Sequence, residues 1–222
     1  MHPIVAFIPT LIENSEVFLG GVRTTLILLV GGFTGALIIG VVMASLRTWG
    51  GPLLRDISGI YVEFFRNTPL IVQLLFMQTL LAPSYMGITR DPTTAGLIAI
   101  AIYSGSYFTE VIRSGILSVD ARQIEAARSL GLGQLQAIGY VVMPQAVRTV
   151  IPPIGSLTIA LAKNTAVVSA IAAPELLRAA QTIENRTGTF DGFYGALFAY
   201  WIITLSLAFL VNRLERRLAF AR

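Results

Sequence analysis

The sequence predicts an all-α membrane protein with about five transmembrane helices, on the evidence of its composition, its long neutral runs and its arginine distribution. Of the 222 residues, 55% are hydrophobic and only 13% are charged, whereas ordinary soluble domains carry about 25% charged residues. The charges are clustered, which leaves long neutral runs between them. A neutral apolar run of about 18 or more residues is typical of a transmembrane helix, because about 20 residues at helical rise cross the hydrocarbon core.

Five runs account for the predicted spans. Residues 26–46, 67–89 and 192–212 contain no Asp, Glu, Lys, Arg or His. Residues 94–109 are neutral but a little short, and residues 149–174 are long enough but are interrupted by Lys163. The first run is longer than the hydrophobic region of a typical signal peptide and has no basic residue before Arg23, so we interpret it as a permanent helix.

Arginine placement predicts the orientation of these helices. If the N-terminus lies outside, the inner segments 44–57, 113–150 and 211–222 hold ten arginines and the outer segments hold three. Cytoplasmic loops of membrane proteins carry such an excess of basic residues. We therefore expect the N-terminus outside and the C-terminus inside, and we attribute the net charge of +4 to topology rather than to nucleic-acid binding. The inner set is Arg47, Arg55, Arg113, Arg122, Arg128, Arg148, Arg213, Arg216, Arg217 and Arg222, and the outer set is Arg90, Arg178 and Arg186.

The chain reads as one transmembrane domain, residues 1–222, with a core of about residues 20–213. In the first span, Gly31 and Gly35 have the GxxxG spacing that lets another helix approach closely in lipid. The alternative is that glycine is simply common in membrane helices. The inner loop 113–148 is about 35 residues long, against a median connection of about 4–6, which predicts that it has its own structure and purpose.

That loop predicts a helix–turn–helix on the cytoplasmic face. A helix-favouring stretch (DARQIEAARSL) is followed by a break at Gly131 and Gly133, a second helical stretch (QLQAIGYVVM) and then Pro144. Within the loop, the sequence Glu125-Ala126-Ala127 is followed by three residues and then by Gly131. Nine further residues lie between Gly131 and the sequence Val141-x-Met143-Pro144. The pattern resembles the EAA loop of ABC importer permeases, with Val141 and Met143 in place of the usual Ile and Leu.

The resemblance implies that this helix couples the chain to a separate ATPase dimer. Ala126 and Ala127 would then allow close docking in a cleft of the ATPase, and Glu125 would form a charge-assisted hydrogen bond with it. Gly131 would supply the backbone dihedral that ends the helix, and Pro144 would close the motif. The alternative is that Glu125 is merely a solvated residue on a surface helix.

Three further stretches resemble segments of the polar amino-acid (His/Glu/Arg-type) ABC permeases. They are residues 63–70 (EFFRNTPL), the stretch from Ser104 to Gln123, and residues 161–165 (LAKNT), which Ala166 follows where Ser is usual. The resemblance implies a type I ABC importer permease with a MetI-like core in the bacterial cytoplasmic membrane. The implied cargo is a polar amino acid, for which we expect a glutamate or glutamine type.

These stretches also supply the candidate gate and substrate-pathway residues. Glu63 and Arg66, and likewise Glu110 and Arg113, are spaced three apart, so each pair is expected to meet on one helix face. Ions near the membrane usually face a bundle interior or a watery cavity, which favours a gate near the cytoplasmic exit; internal pairing at the interface is the alternative. The same stretches contribute Asn67, Thr68, Asn164 and Thr165.

Lys163 is the only lysine in the chain and has no carboxylate nearby in sequence. Its partner is expected to be another helix, a partner subunit or a substrate carboxylate. Because the resembling segments carry Arg and Lys even in permeases for cationic amino acids, Arg66 and Lys163 do not indicate an anionic cargo.

Several functions find no support in the sequence. The absence of Walker A, HExxH, GxSxG and Cys/His patterns leaves no catalytic or metal-binding residues to predict, and the chain is expected to be no enzyme and to hold no cofactor, with ATP bound by the partner. Five spans are few for enclosing a pathway, so we expect a second permease subunit, identical or homologous. The outer segment 173–191 either meets an extracytoplasmic binding protein or caps the bundle. A stand-alone channel or secondary carrier, and a membrane enzyme or scaffold, are the competing interpretations.

Overall fold

Every regular element in the described part of the chain, residues 7–219, is a helix in the computed structural model. Residues 1–6 and 220–222 lie outside the described range, and Arg222 of the inner basic set is among them. A π-helical turn, Ile138–Val142, and a 3-10 segment, Thr165–Ile171, make Gln134–Ile171 one continuous helix. The helices are α1 (Phe7–Glu13), α2 (Ser15–Trp49), α3 (Pro52–Asn67), α4 (Leu70–Leu81), α5 (Pro92–Leu117), α6 (Ala121–Ser129), α7 (Gln134–Ala137), α8 (Met143–Asn164), α9 (Leu176–Thr187) and α10 (Asp191–Ala219).

Four helices in the described range are long and apolar enough to cross a membrane, which confirms the all-helical membrane fold. They are Ser15–Trp49, Pro92–Leu117, Gln134–Ile171 and Asp191–Arg217. They contain the first, third, fourth and fifth predicted spans almost completely. The side of the membrane that each terminus faces stays a prediction.

The second predicted span, residues 67–89, is wrong in its extent. Its helical part is α4, whose 12 residues reach only about 18 Å at helical rise. Thr68 and Pro69 have extended backbones and separate α4 from α3. Proline lacks the N–H that continues a helix and disfavours helical dihedrals at the residue before it. The helical part of the run is therefore the second half of the bent pair α3–α4. The non-helical connection between α2 and α3 consists only of Gly50 and Gly51.

The first span packs along α5, and glycines set the distance between them. A Cβ at Gly35 would lie 2.7 Å from the Cβ of Ala101, and one at Gly40 would lie 2.7 Å from the Cβ of Phe108. A Cβ at Gly31 would lie 2.7 Å from the Cδ1 atom at the end of the Leu97 side chain. The predicted close approach at the GxxxG positions is confirmed, and the helix that approaches is α5 of the same chain.

The main core lies where α2, α4, α5 and α8 meet, around Leu28, Leu74, Ile100 and Leu161. The outward faces of α2, α4 and α10 remain apolar; Phe76 and Phe209, for example, are each 63% exposed. Such faces suit lipid or another membrane subunit, because water would oppose their exposure. The bundle therefore has an apolar interior and an apolar exterior.

Candidate functional site

The coupling turn, residues 120–132, is a short helix with defined ends. The Asp120 side chain accepts the Arg122 N–H at 2.9 Å and begins α6. At the other end, the Leu132 N–H donates to the Ala127 carbonyl at 3.2 Å and the Gly131 N–H donates to the Arg128 carbonyl at 3.0 Å. This pair of bonds is the Schellman arrangement, which needs a left-handed residue at the position that Gly131 occupies with φ 91°. Gly131 therefore ends the helix as the resemblance implied.

The exposed face of the turn carries only part of the predicted docking set. Glu125 and Ala126 are exposed, whereas Ala127 is 6% exposed and packs inside the chain. The expectation that both alanines are free for docking is wrong, since successive helical residues point about 100° apart. Leu130 at the end of α6 and Leu135 just after the turn are 83% and 84% exposed. No sequence pattern predicted a role for either.

The inner loop is not a separate helix–turn–helix, because its second helix is the beginning of the fourth span. The Met143 N–H donates to the Ile138 carbonyl five residues earlier, which is the spacing of a π-helical turn. Pro144 directly follows this turn inside the continuous helix, and the π-helical turn accommodates its missing N–H. The helix runs on through the position at which the sequence predicts an end.

The turn is held against the membrane helices by a small apolar cluster and one amide pair. Ile116, Val119, Val142 and Ala146 are buried together, with Ile112 and Ile124 packed against them. The Gln145 side-chain amide donates to the Gln123 side-chain carbonyl and so joins α8 to α6. A displacement of the turn would therefore be transmitted to α5 and α8.

The predicted pair at the inner end of α5 is present and belongs to a larger cluster. The Glu110 carboxylate accepts hydrogen bonds from Arg113 on its own helix and from Arg47 of α2, the latter at 2.7 Å. All three side chains are between 22% and 29% exposed. Arg47 was not predicted as a partner, because nothing in the sequence relates it to a residue 63 positions away.

The pairing predicted for Glu63 and Arg66 is wrong for the structure that residues 7–219 describe. The Arg66 guanidinium carbon lies 5.2 Å from the centroid of the Tyr107 ring, a favourable position for a cation over an aromatic face. Glu63 lines an open polar cavity of about 750 Å³ together with Arg47, Arg55 and Arg113. Same-helix spacing does not decide the pairing when other helices offer alternative partners.

Asn67 and Thr68 lie at the bend between α3 and α4. Asn67 is exposed, while the Gln73 amide donates to the Thr68 hydroxyl at 2.6 Å and to the Thr68 carbonyl at 3.1 Å. The Gln73 amide also reaches the Phe65 carbonyl at 3.0 Å. The 7% exposed Gln73 thus bonds the backbone groups freed by the bend, and it was missed because glutamine in an apolar run carries no pattern of its own.

The Lys163, Asn164 and Thr165 stretch lies where α8 tightens into its 3-10 segment. Lys163 is exposed, and Thr165 is fully buried with its hydroxyl donating to the Ala162 carbonyl at 2.8 Å. Asn164 faces a small cavity of about 140 Å³ with Tyr103 and Tyr107. Only part of this stretch is therefore open to a ligand.

Tyr107 brings several predicted pathway residues into one region. It lies under the Arg66 guanidinium, shares the small cavity with Asn164, and stands one helical turn before Glu110. Its hydroxyl is within 3.1 Å of that of Tyr103. No sequence pattern marks either tyrosine, since aromatic residues in a span usually indicate packing.

Comparison with known proteins places this geometry in a family. The family model described as "Binding-protein-dependent transport system inner membrane component" matches residues 36–220. The chain belongs to this family. Membership makes it the inner membrane permease subunit of an ABC importer, with ATP hydrolysis on a separate ATPase and with a binding protein as a further partner.

Two curated permease proteins are similar to this chain over most of their length. The glutamine transport system permease protein GlnP of Escherichia coli (strain K12) is 35% identical over 212 residues, which cover 95% of this chain and 94% of that protein. The L-cystine transport system permease protein TcyB of Bacillus subtilis (strain 168) is 36% identical over 201 residues, which cover 90% and 85%.

Solved structures of the inner membrane components agree with the fold. A crystal structure of an amino acid ABC transporter with histidines matches with a TM-score of 0.84 and 33% identity, over 93% of this chain and 96% of that chain. An inward-facing MetNI methionine ABC transporter matches with a TM-score of 0.73 and 21% identity, over 92% and 97%. The second likeness concerns the fold alone and confirms the expected MetI-like core.

Proposed function

We propose that this chain carries a polar amino acid of the glutamine or glutamate type, delivered by an extracytoplasmic binding protein, and that the coupling turn receives the motion of the ATPase. The coupling turn is the observation that carries the proposal. The turn presents a small surface that carries the exposed residues Glu125, Ala126 and Leu130. The buried Ala127 and the Schellman end hold the turn in shape, and the apolar cluster joins it to two spans. The glutamine cargo of the similar permease supports the choice of cargo.

The exposed apolar tips suit a protein partner better than water. Leu130 and Leu135 lose contact with water only if another surface covers them, and large exposed apolar patches mark interaction sites. The exposed Glu125 carboxylate has no hydrogen-bond partner among the described residues, whereas the Glu125 backbone carbonyl accepts the Ser129 hydroxyl, so the carboxylate is free to bind the ATPase. A stand-alone channel or carrier would have no use for this surface.

Two variants test the coupling turn by different routes. Glu125→Ala should abolish binding-protein-stimulated ATP hydrolysis and uptake, because the charge-assisted contact to the ATPase is lost. Gly131→Ala should weaken both, because a Cβ in the left-handed region costs about 1–2 kcal/mol and so opposes the turn. The measurement is uptake and ATPase rate in the complex of permease, ATPase and binding protein reconstituted in vesicles.

Gly139→Ala is the matched control. Gly139 lies in the π-helical turn, its φ is not positive, and a Cβ there would meet nothing within 4 Å. Normal uptake by both Glu125→Ala and Gly131→Ala would refute the coupling role. Stimulation of the wild-type complex across a panel of amino acids identifies the cargo.

The charged cluster and the Tyr107 region are proposed as the pathway on the exit side. Residues from α2, α3, α5 and α8 converge there, and the cavity beside Glu63 is polar and open. A second permease subunit, identical or homologous, would complete a pathway that the four long spans of one chain are too few to enclose. Lys163 is exposed and unpaired among the described residues, so Lys163→Met should lower uptake more than assembly with the ATPase; unchanged uptake would leave it no pathway role.

A further inference from the structure

The outer helix α9 begins with a buried carboxylate. Glu175 is completely buried, and its two oxygens accept the Leu177 N–H at 2.9 Å and the Arg178 N–H at 2.8 Å. These are N-cap bonds, which satisfy backbone donors that have no partner within the helix. Glu175 lies between the spans Gln134–Ile171 and Asp191–Arg217, and burial raises the pKa of its carboxyl although the hydrogen bonds oppose that shift.

The same carboxylate reaches beyond its own helix. The Tyr200 hydroxyl of α10 donates to Glu175 at 2.6 Å. The neighbouring Leu176 N–H donates to the buried Thr25 hydroxyl oxygen of α2 at 3.1 Å. Two consecutive residues therefore connect the start of α9 to the first span and to the fifth span. The two cap bonds of Glu175 involve neither Tyr200 nor Thr25.

Glycines reinforce this connection by bringing the backbones together. A Cβ at Gly21 of α2 would lie 2.7 Å from the Cβ of Ala179, and a Cβ at Gly192 of α10 would lie 2.7 Å from the Ala180 carbonyl oxygen. Contacts this close leave no room for α9 to slide independently, since packed interfaces do not deform continuously. Displacing α9 must therefore displace the ends of α2 and α10.

The opposite face of α9 remains uncovered. Arg178, Asn185 and Arg186 are exposed on it, while Leu176, Ala179, Ala180 and Ile183 are buried beneath. A helix with one polar face and one face fixed to two spans can receive a protein partner from outside the bundle.

We propose that Glu175, Tyr200 and Thr25 form a positioning joint through which docking of the loaded binding protein on α9 moves the first and fifth spans. The inference rests on the proposed function, because it requires a binding protein on the α9 side. The three residues touch neither cargo nor nucleotide; they act by holding α9 to the spans. Loss of the joint should let the binding protein dock without stimulating the ATPase.

Two variants break the joint while sparing the two cap bonds of Glu175. Tyr200→Phe removes only the hydroxyl, so Glu175 keeps its two backbone bonds. Thr25→Val keeps the shape and leaves the Leu176 N–H without its acceptor. In the reconstituted complex, each should lower the fold stimulation of ATP hydrolysis by the loaded binding protein about fivefold or more, the lower range of couplings between two sites. The basal rate and the assembly with the ATPase should stay near wild type.

Two matched variants serve as controls. Thr25→Ser restores the hydroxyl and should restore stimulation, and Tyr194→Phe removes an exposed hydroxyl from the same helix and should change nothing. Stimulation within twofold of wild type in both Tyr200→Phe and Thr25→Val would refute the joint, as would an equal fall of basal and stimulated rates, which a merely structural role predicts. If Thr25→Val fails to insert, Tyr200→Phe decides, because Phe fills the same volume. A wild-type complex that ignores the loaded binding protein would instead refute the proposed function itself.

Discussion

Asp91 shows how much a single side chain contributes at the start of a membrane helix. Its carboxylate accepts the Thr94 hydroxyl at 2.7 Å, the Thr94 N–H at 2.9 Å and the Thr93 N–H at 3.2 Å. The Thr94 hydroxyl bond, helped by the backbone bonds, lowers the pKa of the Asp91 carboxyl below its ordinary value of 3.8. The charged cap also faces the positive end of the helix dipole of α5.

We predict that Asp91→Ala lowers the stability of the chain in detergent by about 1 kcal/mol at pH 7, the usual value of an N-cap. Because the pKa is depressed in the folded state, this contribution is present above about pH 4 and is lost as the pH falls through the folded pKa. Asp91→Asn keeps an acceptor but does not titrate. Thermal unfolding at pH 7 and pH 3 should therefore show an acid-induced loss in the wild type that is smaller in Asp91→Asn, and equal losses in both would contradict the assignment.

Single residues also show where sequence reasoning succeeds and fails. The spacing of three predicted the Glu110–Arg113 pair correctly but failed for Glu63 and Arg66, although the pattern is identical. Spacing reports neighbours on one helix only. The partners that decide the outcome, Arg47 and Tyr107, come from helices far away in the sequence, and their positions follow from tertiary packing.

Among the helices, the bent α3–α4 pair shows that hydropathy predicts an apolar segment but not where its helix ends. The neutral run at 67–89 correctly indicated an apolar segment, but hydropathy does not register that Pro69 interrupts the backbone hydrogen bonds. The reverse error occurred at Gln134–Ile171, where Pro144 predicted a helix end and the structure has one continuous helix, although the break predicted at Gly131 and Gly133 is present. In that helix the π-helical turn accommodates Pro144, and no residue pattern predicts such a turn.

The contact between α2 and α5 gives a test at the scale of elements. We predict that Gly35→Val destabilises the bundle by about 1–3 kcal/mol, the usual cost of overpacking, because Ala101 already lies where a side chain would begin. Gly20→Val is the control, since a Cβ at Gly20 meets nothing within 4 Å. Thermal unfolding of the two purified variants in detergent measures the difference, and equal stabilities would show that the close approach is not required.

For the molecule as a whole, the predicted orientation can be tested because the chain contains no cysteine. A single cysteine at Leu130 in the coupling turn should react with a membrane-impermeant maleimide only after the cytoplasmic side is opened. One at Tyr85, 70% exposed in the loop between α4 and α5, should react in intact cells. The control is Ile100→Cys, fully buried in the core, which should not react in either case. The opposite labelling pattern would reverse the orientation and remove the coupling turn from the side of the ATPase.

The continuous helix Gln134–Ile171 has a mechanical consequence for the molecule. At 38 residues it is about 57 Å long, well beyond the roughly 30 Å of hydrocarbon that a span must cross. If the helix tilts as one body, a tilt of about 10° about its midpoint carries its two ends about 5 Å in opposite directions. A displacement of the Gln134 end would then also displace the Ile171 end, which lies beside α9, because no loop lies between the two ends.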